Sequence, residues 1–208
     1  MNILRQLNWR YAVREFSDKT INHSDISELI EAVRLTPSSY GLQPYRLIVV
    51  SSPEVKEQLL PYAMGQNKVR DCSHLFVLAS QVSINEKSID GYFNRTELIR
   101  GLEPGSTDGF KAHVKQVMLA MSKEDKANWA EQQAYIALGN LLNVAAMKKI
   151  DACPMGGFEE EGFNKVLGLN VIGLKASVIC PLGFRSKEDL TAESPKVRVD
   201  LSEFCLMV

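Results

Sequence analysis

Apolar positions near the start of the chain recur at helical spacing and then condense into short continuous runs. Ile3, Leu4 and Leu7 predict a short helix over residues 2–9, stable only when docked. Ile26, Leu29, Ile30 and Val33 form a second helical face, with Ser24 as its expected cap and Asp25 and Glu28 in its first turn. Pro37 disfavours helical geometry in the residue before it, so this helix should stop near Thr36. PSSYGLQP, residues 37–44, is a loop by composition, and YRLIVV, residues 45–50, has the bulk and branching of a buried strand.

Pro53 opens an expected helix to about Tyr62, and the polar AMGQNKVRD after it reads as a connection. HLFVLA, residues 74–79, is continuously apolar and short, the pattern of a strand covered on both faces. Helical spacing at Tyr92, Phe93 and Leu98 gives way to a break at GLEPGSTDG, then to a helix through Phe110, Val114, Val117 and Met118. The strongest helical signal covers residues 123–149, where Trp129, Ala130, Ala134, Leu138, Leu141, Leu142 and Ala145 form one broad stripe. Beyond Tyr135 that helix is nearly apolar all round, which predicts a central position. A strand near residues 150–153, a turn at PMGGFEE, a short helix through Val166, a strand over residues 174–184 and an extended polar tail complete the chain. No repeat or linker divides it, so one α+β domain over residues 1–208 is expected, with helices on both faces of the sheet or on another subunit.

At 208 residues, 45% hydrophobic and 24% charged, the chain can bury a core without staples. Its 24 Lys and Arg offset 25 Asp and Glu, leaving no net field for a nucleic acid or an anionic membrane, and neither partner is expected. Cys72, Cys153, Cys180 and Cys205 lack metal or dithiol spacing and read as buried thiols of a reducing compartment; no metal site is expected. The basic, amphipathic start does not resemble a secretory signal, and the expected location is cytoplasmic.

No GxSxG elbow, P-loop, HExxH or GxGxxG motif is present, so no side-chain nucleophile or base suggests itself. His23, His74 and His113 read as ordinary surface or core residues. Four polar clusters instead share an affinity for anions. Arg10 and Arg14 flank an extended turn at Tyr11 and Ala12, and two guanidinium forks can hold a phosphate; a solvated basic turn is the plain alternative. Lys196 and Arg198 lie two apart in the tail and face the same way if it is extended. Pro154, Met155, Gly156 and Gly157 lie between a strand and a helix, where glycines admit a flat ligand and uncover amides, or simply turn the chain. Pro37, Ser38, Ser39, Tyr40 and Gly41 make a loop richer in hydrogen-bonding groups than a helix stop requires.

In this order, RYAVREF, PSSYGLQPYRLIVV, GQNKVRDCSHLFVL, the W-x5-Y-x3-GN helix from Trp129 to Asn140, PMGGF and PKVR closely resemble the nitroreductase family over essentially the whole chain. The resemblance implies an α+β fold with a central mixed sheet, an intertwined homodimer, and flavin mononucleotide (FMN) at the dimer interface. It implies NADH or NADPH as donor and a small electron-poor acceptor, such as a nitroaromatic or quinone, reduced in ping-pong fashion through flavin N5. By resemblance Arg10, Lys196 and Arg198 hold the phosphate and ribityl chain, with Tyr11 and Ala12 in the same turn. Arg14 lies near the pyrimidine and the nicotinamide, and Lys68, with Gln66 close by, at the N1/O2 edge. Residues Pro154, Met155, Gly156 and Gly157 cover one flavin face. Pro37, Ser38, Ser39 and Gly41 come from the partner subunit, with Tyr40 and Phe110 on the substrate side. The flavin carries the chemistry, so no catalytic side chain is assigned. Ala12, Gly65 and Gly156 depart from the serine, asparagine and acidic residue found in relatives, and residues 85–123 match most loosely.

Overall fold

Two strands have neighbours on both sides, and they are the two whose sequences are most continuously apolar. A computed structural model describes residues 2–208. In chain order it contains α1 (Ile3–Trp9), α2 (His23–Arg34), β1 (Tyr45–Val50), α3 (Pro53–Leu59), α4 (Lys68–Asp71), β2 (His74–Gln81), α5 (Glu86–Arg100), α6 (Asp108–Ala120), α7 (Lys123–Met147), β3 (Asp151–Ala152), α8 (Glu160–Val166), β4 (Leu174–Gly183) and α9 (Leu201–Phe204). The strand order is β1-β2-β4-β3. All three ladders are antiparallel, with Leu47 opposite Leu78, Val77 opposite Ile179 and Asp151 opposite Gly183. The expected mixed sheet is therefore antiparallel in its ladders. Parallel pairing among the described residues is confined to a single bridge, Ala12 to Ala152, because the segment running alongside β3 touches it at one residue.

Alternation along β2 divides the core. Phe76 and Leu78 face α2 and α7, meeting Leu29, Val33, Ala134 and Leu141. Leu75 and Val77 face α3, α4 and α8, meeting Leu59, Val69 and Phe163. A third cluster, with Ile89, Phe93, Val114, Met118 and Ala130, joins α5, α6 and the start of α7. No helix among the described residues is long and apolar enough to cross a membrane.

Several local expectations change. Asn22, not Ser24, caps α2, its side chain accepting from the Asp25 amide; Ser24 lies inside the first turn and donates to Asn22 Oδ1. The polar connection contains α4, whose four residues are too few to show a period. The strand β1 is an edge with a half-exposed interior, since only β2 covers it. Ile30 and Leu98 point outward rather than into the core. Helix α7 is central, but Tyr135, Ile136 and Met147 remain about half exposed. Three cysteines are buried, and burial pushes the Cys72 thiol up to about 12 and raises that of Cys180; Cys205 is exposed, contrary to expectation, because the segment carrying it lies outside the core.

Candidate functional site

Beyond α1 the chain becomes extended at Arg10, and three remote groups hold the turn. Lys196 Nζ donates to the Arg10 carbonyl at 2.5 Å. Asp189 Oδ2 accepts from the Arg14 amide at 2.8 Å and the Glu15 amide at 3.2 Å. The Arg185 guanidinium lies 4.4 Å from the Trp9 ring centroid and 4.5 Å from that of Tyr11. Its Nε donates to Asp151 Oδ1 at 2.9 Å and its Nη2 at 2.5 Å, while its amide donates to Oδ2 at 2.7 Å.

These contacts gather residues 8–12, Pro154 and parts of residues 191–198 around one cleft of about 430 Å³. Arg10, Lys196 and Arg198 line it beside the hydroxyl residues Thr191 and Ser194, and no lining residue is acidic. Arg10 Nε is buried without a hydrogen-bond partner. Burial lowers the Arg10 pKa and the like charge of Arg198 adds to the effect; burial, then Arg10 and Arg198, lower that of Lys196. Cations crowded in this way fit a compact dianion, which would relieve their repulsion and take up the free guanidinium donor. The Tyr11 hydroxyl is likewise buried, with the Asp189 carboxylate beside it, and burial raises its pKa.

The PMGG turn begins at the same cleft. Met155 exchanges both backbone hydrogen bonds with Ile179, at 2.8 and 3.1 Å, so its amide is committed to the sheet. The exposed backbone of Gly156 and Gly157 follows. Lys68, at the start of α4, donates from Nζ to Cys153 Sγ at 3.3 Å, and Gln66 Nε2 reaches the Gly157 carbonyl at 3.4 Å. A Cβ on Gly156 would stand 3.5 Å from Tyr135 Oη, so the turn also meets α7. The fold thus brings Gln66, Lys68 and residues 153–157 together.

The remaining candidates form a separate group. The Ser39 amide donates to Gln133 Oε1 at 2.9 Å, and Ser38 Oγ accepts from the Gln43 amide at 2.9 Å. Gly41 has φ +74°, and a Cβ there would lie 2.3 Å from Tyr92 Oη, so both backbone and space demand glycine. Tyr40, at φ 55°, places its ring centroid 6.3 Å from Phe110, which packs against Phe93 and stacks on His113. None of Pro37, Ser38, Ser39, Tyr40, Gly41 or Phe110 lines the Arg10 cleft. Arg14 enters this arrangement through its backbone, and its side chain is exposed. Sequence reasoning missed Asp151, Arg185, Asp189, Thr191, Ser194 and Gln133. No local pattern marks them, and Asp189 meets Arg14 across 175 positions.

Fold and site together define an α+β protein with a basic cleft beyond one end of its sheet. The chain belongs to the nitroreductase family, whose model matches residues 7–184. It is 31% identical over 198 residues to a candidate NAD(P)H nitroreductase of Staphylococcus haemolyticus, covering 89% of each chain. It is 28% identical over 205 residues to the major NAD(P)H-flavin oxidoreductase of Aliivibrio fischeri, covering 94% of each. A candidate nitroreductase of Exiguobacterium sibiricum, solved in complex with FMN, superposes with a TM-score of 0.84 at 20% identity, over 100% of this chain and 98% of that one; this likeness is one of fold.

Proposed function

We propose that the protein is an FMN-dependent NAD(P)H oxidoreductase, acting as one domain over residues 1–208. The observation that carries the reading is the convergence of Arg10, Lys196 and Arg198 on a cleft without acidic lining, with Arg10 Nε buried and unpartnered. Bound there, FMN supplies hydride transfer from NADH or NADPH to a small electron-poor acceptor such as a nitroaromatic or quinone. The chain's own groups anchor, orient and neutralise. Arg10, Lys196 and Arg198 hold the phosphate, with Tyr11 and Ala12 in the same turn. Lys68 supplies a cation beside the pyrimidine edge, with Gln66 near it, and Pro154, Met155, Gly156 and Gly157 back one face of the ring. Arg14 borders the space for nicotinamide and acceptor, and Tyr40 and Phe110, which do not line the cleft of their own chain, border that space in a second copy.

Pro37, Ser38, Ser39 and Gly41 serve a second copy's site, making the working unit a homodimer. Their absence from the lining of their own chain's cleft supports this, as do the exposed apolar side chains of Leu4, Leu7, Ile136 and Met147 on α1 and α7. The visible spectrum of freshly purified protein tests the reading, followed by heat release and chromatography of the chromophore. The expected result is one FMN per chain and NAD(P)H oxidation with an acceptor panel. A colourless protein that FMN cannot reconstitute overturns it.

A further inference from the structure

We infer that Arg185 is a positioning residue for the phosphate cleft, aiming Arg10 by clamping the aromatic rings on either side of it. This rests on the FMN reading above. Trp9 and Tyr11 are the immediate neighbours of Arg10, whose own backbone is extended at φ −71° and ψ 144°. Trp9 closes α1 and Tyr11 follows in the turn, and both line the cleft together with Arg10. One guanidinium that engages both rings, at 4.4 and 4.5 Å, therefore fixes the residues on either side of Arg10 and with them the direction from which Arg10 enters the cleft.

Arg185 is itself immobilised. Asp151, only 4% exposed at the start of β3, accepts from the Arg185 amide, Nε and Nη2. One edge of the fork is spent on a carboxylate and the plane on two rings, and Arg185 does not itself line the cleft. A buried ion pair is weak evidence of stability, but a bidentate one fixes orientation. Lys149 adds a second cation 4.3 Å from the Trp9 ring while donating to Gln6 Oε1 at 2.6 Å, which ties α1 to the end of α7. Placement of Arg10 thus depends on the end of the sheet as well as on the bond from its amide to the Gln6 carbonyl.

The decisive quantity is the preference for FMN over riboflavin, because the two differ only in the phosphate. Both dissociation constants would be measured by flavin fluorescence quenching for the wild type, Arg185→Met and Trp9→Leu. Arg185→Met is expected to reduce the preference about tenfold while changing riboflavin affinity little, and Trp9→Leu to reduce it about threefold. Equal losses for both flavins, or an unchanged preference, would overturn the inference, since a general disturbance of the fold does not single out the phosphate. Should Arg185→Met fail to fold, Trp9→Leu decides on the same ratio, because it leaves the Arg185 to Asp151 pair intact. Equal wild-type affinities for FMN and riboflavin would instead refute the phosphate cleft, and the inference with it.

Discussion

The ammonium of Lys68 lies 3.3 Å from the sulfur of Cys153, the residue immediately before the PMGG turn. The contact joins a four-residue helix to the end of the sheet, and it places a cation beside backbone that the proposed flavin would cover. A cation there favours a reduced, anionic ring over an oxidised, neutral one. Lys68→Met is therefore expected to weaken binding of reduced FMN about tenfold more than that of oxidised FMN. Redox titration against a reference dye reads the difference, and an unaltered midpoint would remove Lys68 from the pyrimidine edge.

Lys196 predicts an alkaline limit to cofactor retention. Burial and the neighbouring cations Arg10 and Arg198 lower its pKa from the ordinary 10.5, and a bound phosphate would raise it again. Binding then takes up a proton wherever the free site has lost one. FMN affinity should be level at lower pH and fall as pH rises through the lowered Lys196 value. In Lys196→Met affinity should be weaker throughout and this limb flatter. A wild-type affinity independent of pH on the alkaline side would contradict the placement.

Asp189 predicts an acid limit to stability. Burial works against its ionisation, but the amides of Arg14 and Glu15 and the side chains of Thr191 and Tyr11 outweigh that and lower its pKa below 3.8. Its contribution is present above the unfolded value of about 3.9. It is lost as pH falls toward the lower folded value, because only the unfolded chain binds the proton in that window. Asp189→Ala should cost about 2 to 3 kcal/mol near neutrality by stranding the amides of Arg14, Glu15 and Thr191. That corresponds to roughly 5–10 °C in Tm at this chain length. A variant as stable as the wild type at pH 7, by calorimetry, would show that the amides find other partners.

Ile136 predicts the coupling between assembly and cofactor. It is 48% exposed on α7, one residue from Tyr135, which approaches Gly156, and three from Gln133, which holds the Ser39 amide. Ile136→Lys leaves the chain's own core untouched, so helicity should persist while light scattering shows a mass near 23.2 kDa instead of twice that. FMN affinity should fall at least about tenfold in the same variant, because the loop at residues 37–41 would no longer reach a second chain. A dimeric variant with full affinity would place the interface elsewhere.

What could be read from the sequence follows the range of each interaction. The helix at residues 123–149 and the strands at 45–50 and 74–79 appear within a residue or two of their expected bounds, since periodicity is a local property of the chain. The cap of α2 was displaced because Asn22 and Ser24 are both good caps and only geometry chooses between them. Arg10, Lys196 and Pro154 stood out as separate clusters, but their meeting in one cleft depends on contacts spanning most of the chain. Arg185 carries no motif at all. Its role lies in two aromatic rings far back along the chain and one carboxylate on a neighbouring strand.

The hydrogen bond from Lys196 to the Arg10 carbonyl spans 186 positions. A chain emerging from the ribosome can form its first helices and pair β1 with β2 well before residue 196 exists, yet it cannot make the cleft. If the cleft holds flavin as proposed, capture would follow synthesis of the tail, and a product interrupted between residues 184 and 195 would keep every strand of the sheet but lack Lys196 and Arg198. In a cell short of riboflavin, full-length apoprotein and truncated chains would look alike by colour and differ only in whether added FMN restores it.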